Sequence, residues 1–349
     1  MKKYILIIFA VFGFSALAGM DSMAGQDDGA EGFNGSVELK WQYDKDNNWG
    51  DFSYRARAGW TGSVNDEIQW GVGLTTPVAP NGGEFNSGLG EVHWEQAYVK
   101  YSPSESFFVK AGKYEYYSNF NKYGVLVDDD LYAAGAMAKF KYEVMPATYA
   151  YAKAFVEKVG DYAGIWGKED AIAGGWLGLK SDGDSWQYGI GVGGQTNQIA
   201  KGTQSFVMAK VSAGSEDIAG MPAGVFGFWS SNAEKIGAGT YSAGAYVGDA
   251  SETYGWSIAV NYYNVSAKDW NYALVDSDYN GSYLPKESDA SGDDKEEGEA
   301  SSSSASDSSG VAVKAQFNPW DNTNFAVKYN AGLGDNTSHG FVGEVTFNF

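Results

Sequence analysis

The sequence of 349 residues predicts an all-β fold, a transmembrane antiparallel barrel, on three observations. Beyond Gly35, polar and apolar residues alternate in sixteen stretches of about 8–12 residues, the length of a tilted strand that crosses a bilayer. The connections between them are alternately short and long, as expected when the two ends of a barrel face different compartments. Aromatic residues make up 16% of the chain and glycine 47 positions, against 7 prolines, a composition typical of strands joined by tight turns. If one stretch is wrongly split or merged, the alternatives are fourteen or eighteen strands.

The C-terminal segment shows the alternation most clearly. Phe341, Gly343, Val345, Phe347 and Phe349 fall on one face of a strand, and mostly polar residues fall on the other. Such a strand suits a wall with hydrocarbon on one side and water on the other. Closing the wall removes the edge strands that lipid does not tolerate. Sixteen strands enclose a cylinder wide enough for an aqueous channel.

The N-terminal residues predict a secretory signal peptide. Lys2 and Lys3 precede an apolar run that ends in a small-residue cleavage site at Ala18, with an alternative site after Ala24. Residues 1–18 are therefore predicted to be removed, and residues 19–349 to form a single barrel domain. Losing two lysines moves the formal net charge from −20 to −22. A chain this acidic is not expected to bind nucleic acid.

The order of the connections predicts which end of the barrel faces which compartment. With the N-terminus on the periplasmic side, the short turns are periplasmic and the long loops external. One turn, at 215–222, is longer than this rule expects. The other short turns are predicted at 62–66, 103–106, 143–147, 182–185, 248–253 and 319–322, and the long loops at 77–91, 117–130, 160–171 and 267–310.

The residue types that build active sites are scarce. There is no cysteine, and the two histidines, His93 and His339, stand at no recognisable spacing from a serine or carboxylate. We therefore predict no enzyme activity, no metal site and no cofactor.

Basic residues are predicted to line the lumen. Arg55 and Arg57, the only arginines of the chain, stand two apart on the second strand, and alternation points them inward together with Lys40 of the first strand. An arginine facing lipid would cost about 2–4 kcal/mol at the midplane, which favours the inward orientation. Three lysines of the fifth and sixth strands also fall on the predicted lumen face: Lys110, Lys139 and Lys141.

Two long connections have unusual compositions. Residues 118–130, between the fifth and sixth strands, combine the apolar run Val125–Val127 with Asp128, Asp129 and Asp130. Residues 267–310 include a serine-rich stretch with eight acidic residues against two lysines from Lys286 onward. This composition predicts a disordered, solvated external loop.

Taken together, the leader, the alternating strands, the unequal loops and the terminal Phe349 resemble the general porins of Gram-negative outer membranes. Short stretches at Gln96–Val99 and Phe108–Lys113 are similar as well. The resemblance implies a passive channel for ions and small hydrophilic solutes, a homotrimer, in contact with outer-membrane lipid and lipopolysaccharide. It also implies that 118–130 folds inward as a constriction, with Asp128, Asp129 and Asp130 opposite the basic residues Lys40, Arg55 and Arg57.

Two other functions stay open from the sequence: a substrate-selective channel, for example for sugars, and a plugged structural or adhesive surface barrel. A track of aromatic side chains pointing into the lumen would favour the selective channel. The tryptophans are expected instead in outward-facing interfacial girdles: Trp41, Trp60, Trp94, Trp176, Trp256, Trp270 and Trp320. The preference for cations or anions is not predicted.

Overall fold

We describe the fold from a computed structural model. It describes residues 32–44, 49–76, 93–115, 132–159, 171–182, 186–199, 202–234, 236–237, 239–266, 308–333 and 339–349. The predicted leader and its cleavage sites, the loop 118–130 with its three aspartates, and residues 267–307 of the acidic loop lie outside this part of the chain. Within it, no helix has the length and apolar character that a membrane-spanning helix needs.

All sixteen predicted strands are present. Their bounds are β1 Gly32–Asp44, β2 Trp49–Asn65, β3 Ile68–Thr75, β4 His93–Ser104, β5 Phe107–Glu115, β6 Tyr132–Met145, β7 Thr148–Val159, β8 Ala171–Asp182, β9 Gln187–Ile199, β10 Gly202–Ile218, β11 Met221–Asn232, β12 Thr240–Asp249, β13 Trp256–Val265, β14 Ser308–Trp320, β15 Thr323–Leu333 and β16 His339–Asn348.

The strands form one closed antiparallel barrel in which each strand pairs with its neighbours along the chain. The wall closes where β1 pairs with β16, from Ser36 opposite Asn348 to Asp44 opposite Gly340. Phe349 completes this seam, because its backbone exchanges hydrogen bonds of 2.7 and 2.9 Å with the backbone of Gly35. The sixteen-stranded closed barrel confirms the predicted fold class.

The short turns lie at one end of the barrel. Two-residue turns join β2 to β3, β4 to β5, β6 to β7, β10 to β11 and β14 to β15. Three of these turns contain a non-glycine residue with a positive φ, at Ala147, Ala219 and Asn322. The longer turn predicted at 215–222 is wrong, because β10 continues to Ile218 and Ala219-Gly220 reverse the chain. The connections 76–92, 116–131, 160–170 and 266–307 leave the opposite end.

The two faces of the wall have opposite chemistry. Side chains that point outward are apolar and exposed, among them Leu177 at 62% and Val192 at 58% of their surface. Side chains that point inward include charged residues that are nearly inaccessible, such as Glu38, Lys153 and Lys328. A soluble protein has the reverse arrangement, whereas a lipid-embedded barrel with a polar interior has this one.

Five of the tryptophans expected on the outer face are found there, exposed: Trp41, Trp60, Trp94, Trp256 and Trp320. Trp270 lies outside the described residues. Trp176, however, is only 2% exposed and points into the lumen, which corrects the prediction. On β8 the outer face is taken by Leu177 and Leu179, and Trp176 alternates with them, opposite Lys153 of β7.

Candidate functional site

The predicted basic residues of β1 and β2 meet in the lumen. Lys40 is largely buried, and cross-strand pairing places Glu38 directly opposite Arg55. Glu38 forms ion pairs with both arginines. Its Oε1 lies 3.8 Å from Arg55 Nη2 and its Oε2 lies 3.4 Å from Arg57 Nη1. Arg57 Nε also donates a hydrogen bond of 2.7 Å to Glu95 Oε1 of β4. We call Glu38, Arg55, Arg57 and Glu95 the arginine cluster.

The arginine cluster contains as many carboxylates as guanidinium groups. Its net formal charge is therefore close to zero, and Lys40 adds one positive charge beside it. Lys40 in turn pairs across the seam with Glu344, whose carboxylate lies 3.8 Å from Lys328 Nζ. Four cations on this side of the lumen thus face three carboxylates, so most of its charge is compensated.

Sequence alternation alone misses Glu95. Counting every second residue along β4 places Glu95 on the same face as Ala97 and Val99, which are exposed on the outer face. The pairing of β3 with β4 shifts by one residue there, since Gly73 pairs with Gln96 but Leu74 pairs with Trp94. A β-bulge of this kind re-aims a side chain, and it turns Glu95 inward, where it is buried. The only sequence signal is an acidic residue at a position that would otherwise face lipid.

A second group of basic residues lines the wall from β4 to β10. Cross-strand partners share one face of a sheet, so the register carries the inward orientation from strand to strand. It places the predicted Lys110, Lys139 and Lys141 on the lumen face, separate from the arginine cluster. Four further lysines share this face. We call the whole set the lysine wall: Lys100, Lys110, Lys139, Lys141, Lys153, Lys180 and Lys210.

Lys153 illustrates how these additional lysines could have been found. On β7 it alternates with Ala152, Ala154 and Val156, and it shares a face with Glu157. One face of β7 therefore carries small apolar residues and the other carries two charges. Such a strand is expected to turn its charged face away from lipid. The structure buries both charged side chains, with Lys153 at 5% and Glu157 at 2% exposure.

Aromatic rings lie beneath the ammonium groups of the lysine wall. Lys110 Nζ is 3.8 Å from the ring centroid of Tyr98, and Lys210 Nζ is 4.8 Å from Trp176 and 5.5 Å from Tyr151. Similar contacts join Lys100 to Phe108, Lys141 to Tyr149 and Lys153 to Phe155, at 5.1, 4.7 and 5.4 Å. A cation over a ring face is attracted by the ring's quadrupole, so the rings help to hold the ammonium groups along the wall.

Glycines make room for these rings against the wall. A Cβ atom on Gly178 or Gly191 would lie 2.6 or 2.5 Å from the Tyr151 hydroxyl oxygen, and one on Gly193 would lie 2.7 Å from Cδ2 of Trp176. The rings can therefore lie flat over neighbouring strands instead of projecting towards the barrel axis. The sequence shows these glycines but not which ring each one accommodates.

Within the described part of the chain, no group of three or more histidine, aspartate or glutamate side chains could hold a metal ion. Most of the charged groups described in the lumen belong to two sets, the arginine cluster and the lysine wall. In the barrel order, β7 to β10 lie across the lumen from β15, β16, β1 and β2. The barrel therefore has a side on which most of the charge is compensated opposite a predominantly basic side.

No protein-family model matches the chain, and no curated protein sequence matches it either. Solved structures do match its shape. A loop-deletion mutant of OmpT, an outer-membrane protein of Vibrio cholerae, superposes with a TM-score of 0.52 at 11% identity, over 93% of this chain and 100% of that one. OmpT folded in vitro, in its trimer form, gives 0.52 at 10% identity, over 92% and 99%. A mutant of the Rhodopseudomonas blastica porin gives 0.52 at 12% identity, over 92% and 100%. At these identities the likeness concerns the fold, a closed sixteen-stranded barrel like those of outer-membrane proteins.

Proposed function

We propose that this chain is a passive diffusion channel for ions and small hydrophilic solutes in the outer membrane of a Gram-negative bacterium. The observation that carries the proposal is the reversal of the two faces, with exposed Leu177 and Val192 outside and buried Glu38, Lys153 and Lys328 inside. An outer apolar surface is stabilised by lipid, and an inner charged surface is stabilised by water and ions.

Transport in such a channel needs no chemistry from the protein and no cofactor. The solute gradient drives the movement, and the barrel wall selects by size and charge. The charged lumen stabilises water and polar solutes relative to apolar ones. We therefore propose no enzymatic role, and we expect outer-membrane lipid and lipopolysaccharide to be the contacts of the outer face.

We propose further that Asp128, Asp129 and Asp130 form the acidic side of a constriction, opposite Lys40, Arg55 and Arg57. The inward orientation of Lys40 and both arginines supports the basic side. Because Glu38 and Glu95 balance the arginines, the aspartates would act mainly by adding local negative charge.

The channel is tested by recording single-channel currents of the purified, refolded protein in a planar bilayer. We expect steady openings whose conductance rises in proportion to salt concentration. Current steps grouped in threes would support a homotrimer, the form of one similar solved structure. A folded barrel that conducts nothing would contradict the proposal and favour a plugged surface protein.

The constriction is tested by replacing Asp128, Asp129 and Asp130 with Asn and measuring the reversal potential in a salt gradient. Loss of three negative charges at a narrow point is expected to shift selectivity towards anions. The matched control replaces Asp289, Asp293 and Asp294 of the acidic loop with Asn, which removes the same charge. Equal shifts in both variants would contradict a constriction at 128–130.

A substrate-selective channel is the second candidate, because Trp176 and Tyr151 point into the lumen. Such a channel would show ion currents that a sugar blocks saturably. A current that falls only in proportion to the viscosity of the sugar solution would exclude a sugar site.

A further inference from the structure

The lysine wall places like charges directly opposite one another. Lys100 of β4 pairs with Lys110 of β5, and Lys139 of β6 pairs with Lys153 of β7. Directly opposed residues in an antiparallel sheet have Cβ atoms about 4.5–5.5 Å apart, and like charges at that separation destabilise the sheet. Two such pairs on neighbouring hairpins indicate that a bound anion supplies negative charge beside these lysines when the channel conducts.

A third lysine pair shows how the chain itself balances such a contact. Lys314 of β14 pairs directly with Lys328 of β15. There the Glu344 carboxylate of β16 lies 3.8 Å from Lys328 Nζ. The arginine cluster likewise holds a glutamate against each arginine. The described part of the lysine wall has fewer carboxylates for each cation than either of these two sites.

Between β5 and β10 the described lumen-facing positions away from the strand ends include one acidic residue, Glu157. Against it stand five lysines of the lysine wall, because Lys180, like Glu143 and Glu216, lies two residues from a strand end. The Lys153 ammonium lies within electrostatic range of Lys110, Lys139 and Lys210 as well as of Glu157. One carboxylate balances only part of this set, so the described residues give this side of the lumen a net positive charge.

The chemistry of these groups limits what they bind. Each ammonium is a compact point charge with three donors, which suits phosphate and carboxylate oxygens. Several ammonium groups within range of one another favour an anion with more than one charge. Both arginines of the chain lie in the arginine cluster, so no guanidinium fork adds bidentate recognition here. Binding should therefore be weak enough for release, as conduction requires.

We propose that the lysine wall is a binding track for small polyvalent oxyanions, such as phosphate or a dicarboxylate, and that it makes the channel prefer anions. This inference rests on the proposed function, because it assigns a preference to the same lumen. The aromatic rings hold the ammonium groups along the wall, and an anion passes from one lysine to the next.

The experiment compares wild type with the double variant Lys139→Gln/Lys153→Gln in planar bilayers. In a potassium chloride gradient, the reversal potential of wild type should show an anion preference. Added inorganic phosphate should reduce the chloride current saturably. In the double variant the concentration for half reduction should rise about tenfold or more, since two charge-assisted contacts are lost.

The matched control is Lys314→Gln/Lys328→Gln, which removes an equal charge from another lysine pair of the same lumen. Phosphate should block this variant as it blocks wild type. A conducting channel that prefers cations or ignores phosphate overturns the inference while the proposed function stands. An equal loss of phosphate block in both double variants overturns it too, because total lumen charge would then suffice.

A second measurement does not depend on conduction. Inorganic phosphate should raise the unfolding temperature of the detergent-solubilised wild-type barrel, because a ligand stabilises the state that binds it. The Lys139→Gln/Lys153→Gln variant should show no such rise, whereas the control variant should. If the folded barrel conducts nothing, this rise still supports the track, and its absence in wild type refutes the track. Succinate in place of phosphate distinguishes a carboxylate from a phosphate preference.

Discussion

Replacing Glu95 with Gln tests the arginine cluster and the bulge that builds it. The Arg57 Nε–Glu95 Oε1 distance of 2.7 Å gives an attraction of about 6 kcal/mol at an effective dielectric constant near 20. Desolvation of both groups opposes this attraction. Breaking a fully buried pair costs about 3–5 kcal/mol, whereas exposed pairs contribute about 0–1 kcal/mol. Glu95 is 8% and Arg57 21% exposed, so we expect Glu95→Gln to lower the free energy of unfolding by about 1–3 kcal/mol.

The assay is urea unfolding of the refolded barrel in lipid vesicles, followed by the shift in electrophoretic mobility on unfolding. A double-mutant cycle with Arg57→Gln should give a coupling energy of about 1 kcal/mol or more. The corresponding cycle for Lys328 and Glu344, whose closest atoms are 3.8 Å apart, should give a smaller one. A coupling near zero between Arg57 and Glu95 would refute the inward turn of Glu95, and with it the β-bulge in β4.

Two further substitutions test the seam and the outer face. Gly35→Ala should lower the free energy of unfolding by about 1–3 kcal/mol, because the new Cβ would lie 2.5 Å from Cε2 of Phe349. The control is Gly340→Ala, whose Cβ would have no atom nearer than 4.0 Å. This variant should be tolerated in the same unfolding assay. Leu177→Arg should lower the free energy of unfolding in lipid vesicles by about 2–4 kcal/mol, because this exposed position is expected to contact hydrocarbon. Leu177→Ala should lower it less. Equal losses of stability in the two variants would contradict an outer face embedded in lipid.

The number of strands could be predicted because one physical rule acts on every strand. Lipid outside and water inside require alternation with a period of two, and this rule holds along β13, where exposed and buried residues alternate from Trp256 to Asn261. The rule weakens where a strand extends beyond the bilayer. The residues from Ser215 to Asp217 are polar on both faces, so they resemble a loop, yet they continue β10. Strand existence was therefore easier to predict than strand ends.

The site could be predicted only in part, because contacts across strands depend on register. Alternation correctly points Lys40, Arg55 and Arg57 inward, but nothing local to them shows that Glu38 and Glu95 lie within reach. Trp176 was misassigned for a related reason. On its own strand Leu177 and Leu179 take the outer face, but the glycine that accommodates its ring in the lumen, Gly193, lies on the next strand.

The glycines of the lumen wall explain how aromatic and charged side chains share one surface. With a Cβ at Gly191, the Tyr151 ring could not lie against β9, and it would have to turn towards the barrel axis. The Lys210 ammonium, 5.5 Å from that ring, would then move with it. Because the ring and the ammonium depend on the same glycine, replacing Gly191 should narrow the lumen and displace a charge together. The local width of the lumen and the position of one lysine charge therefore depend on the same glycines of β8 and β9, and they should change together when Gly191 is altered.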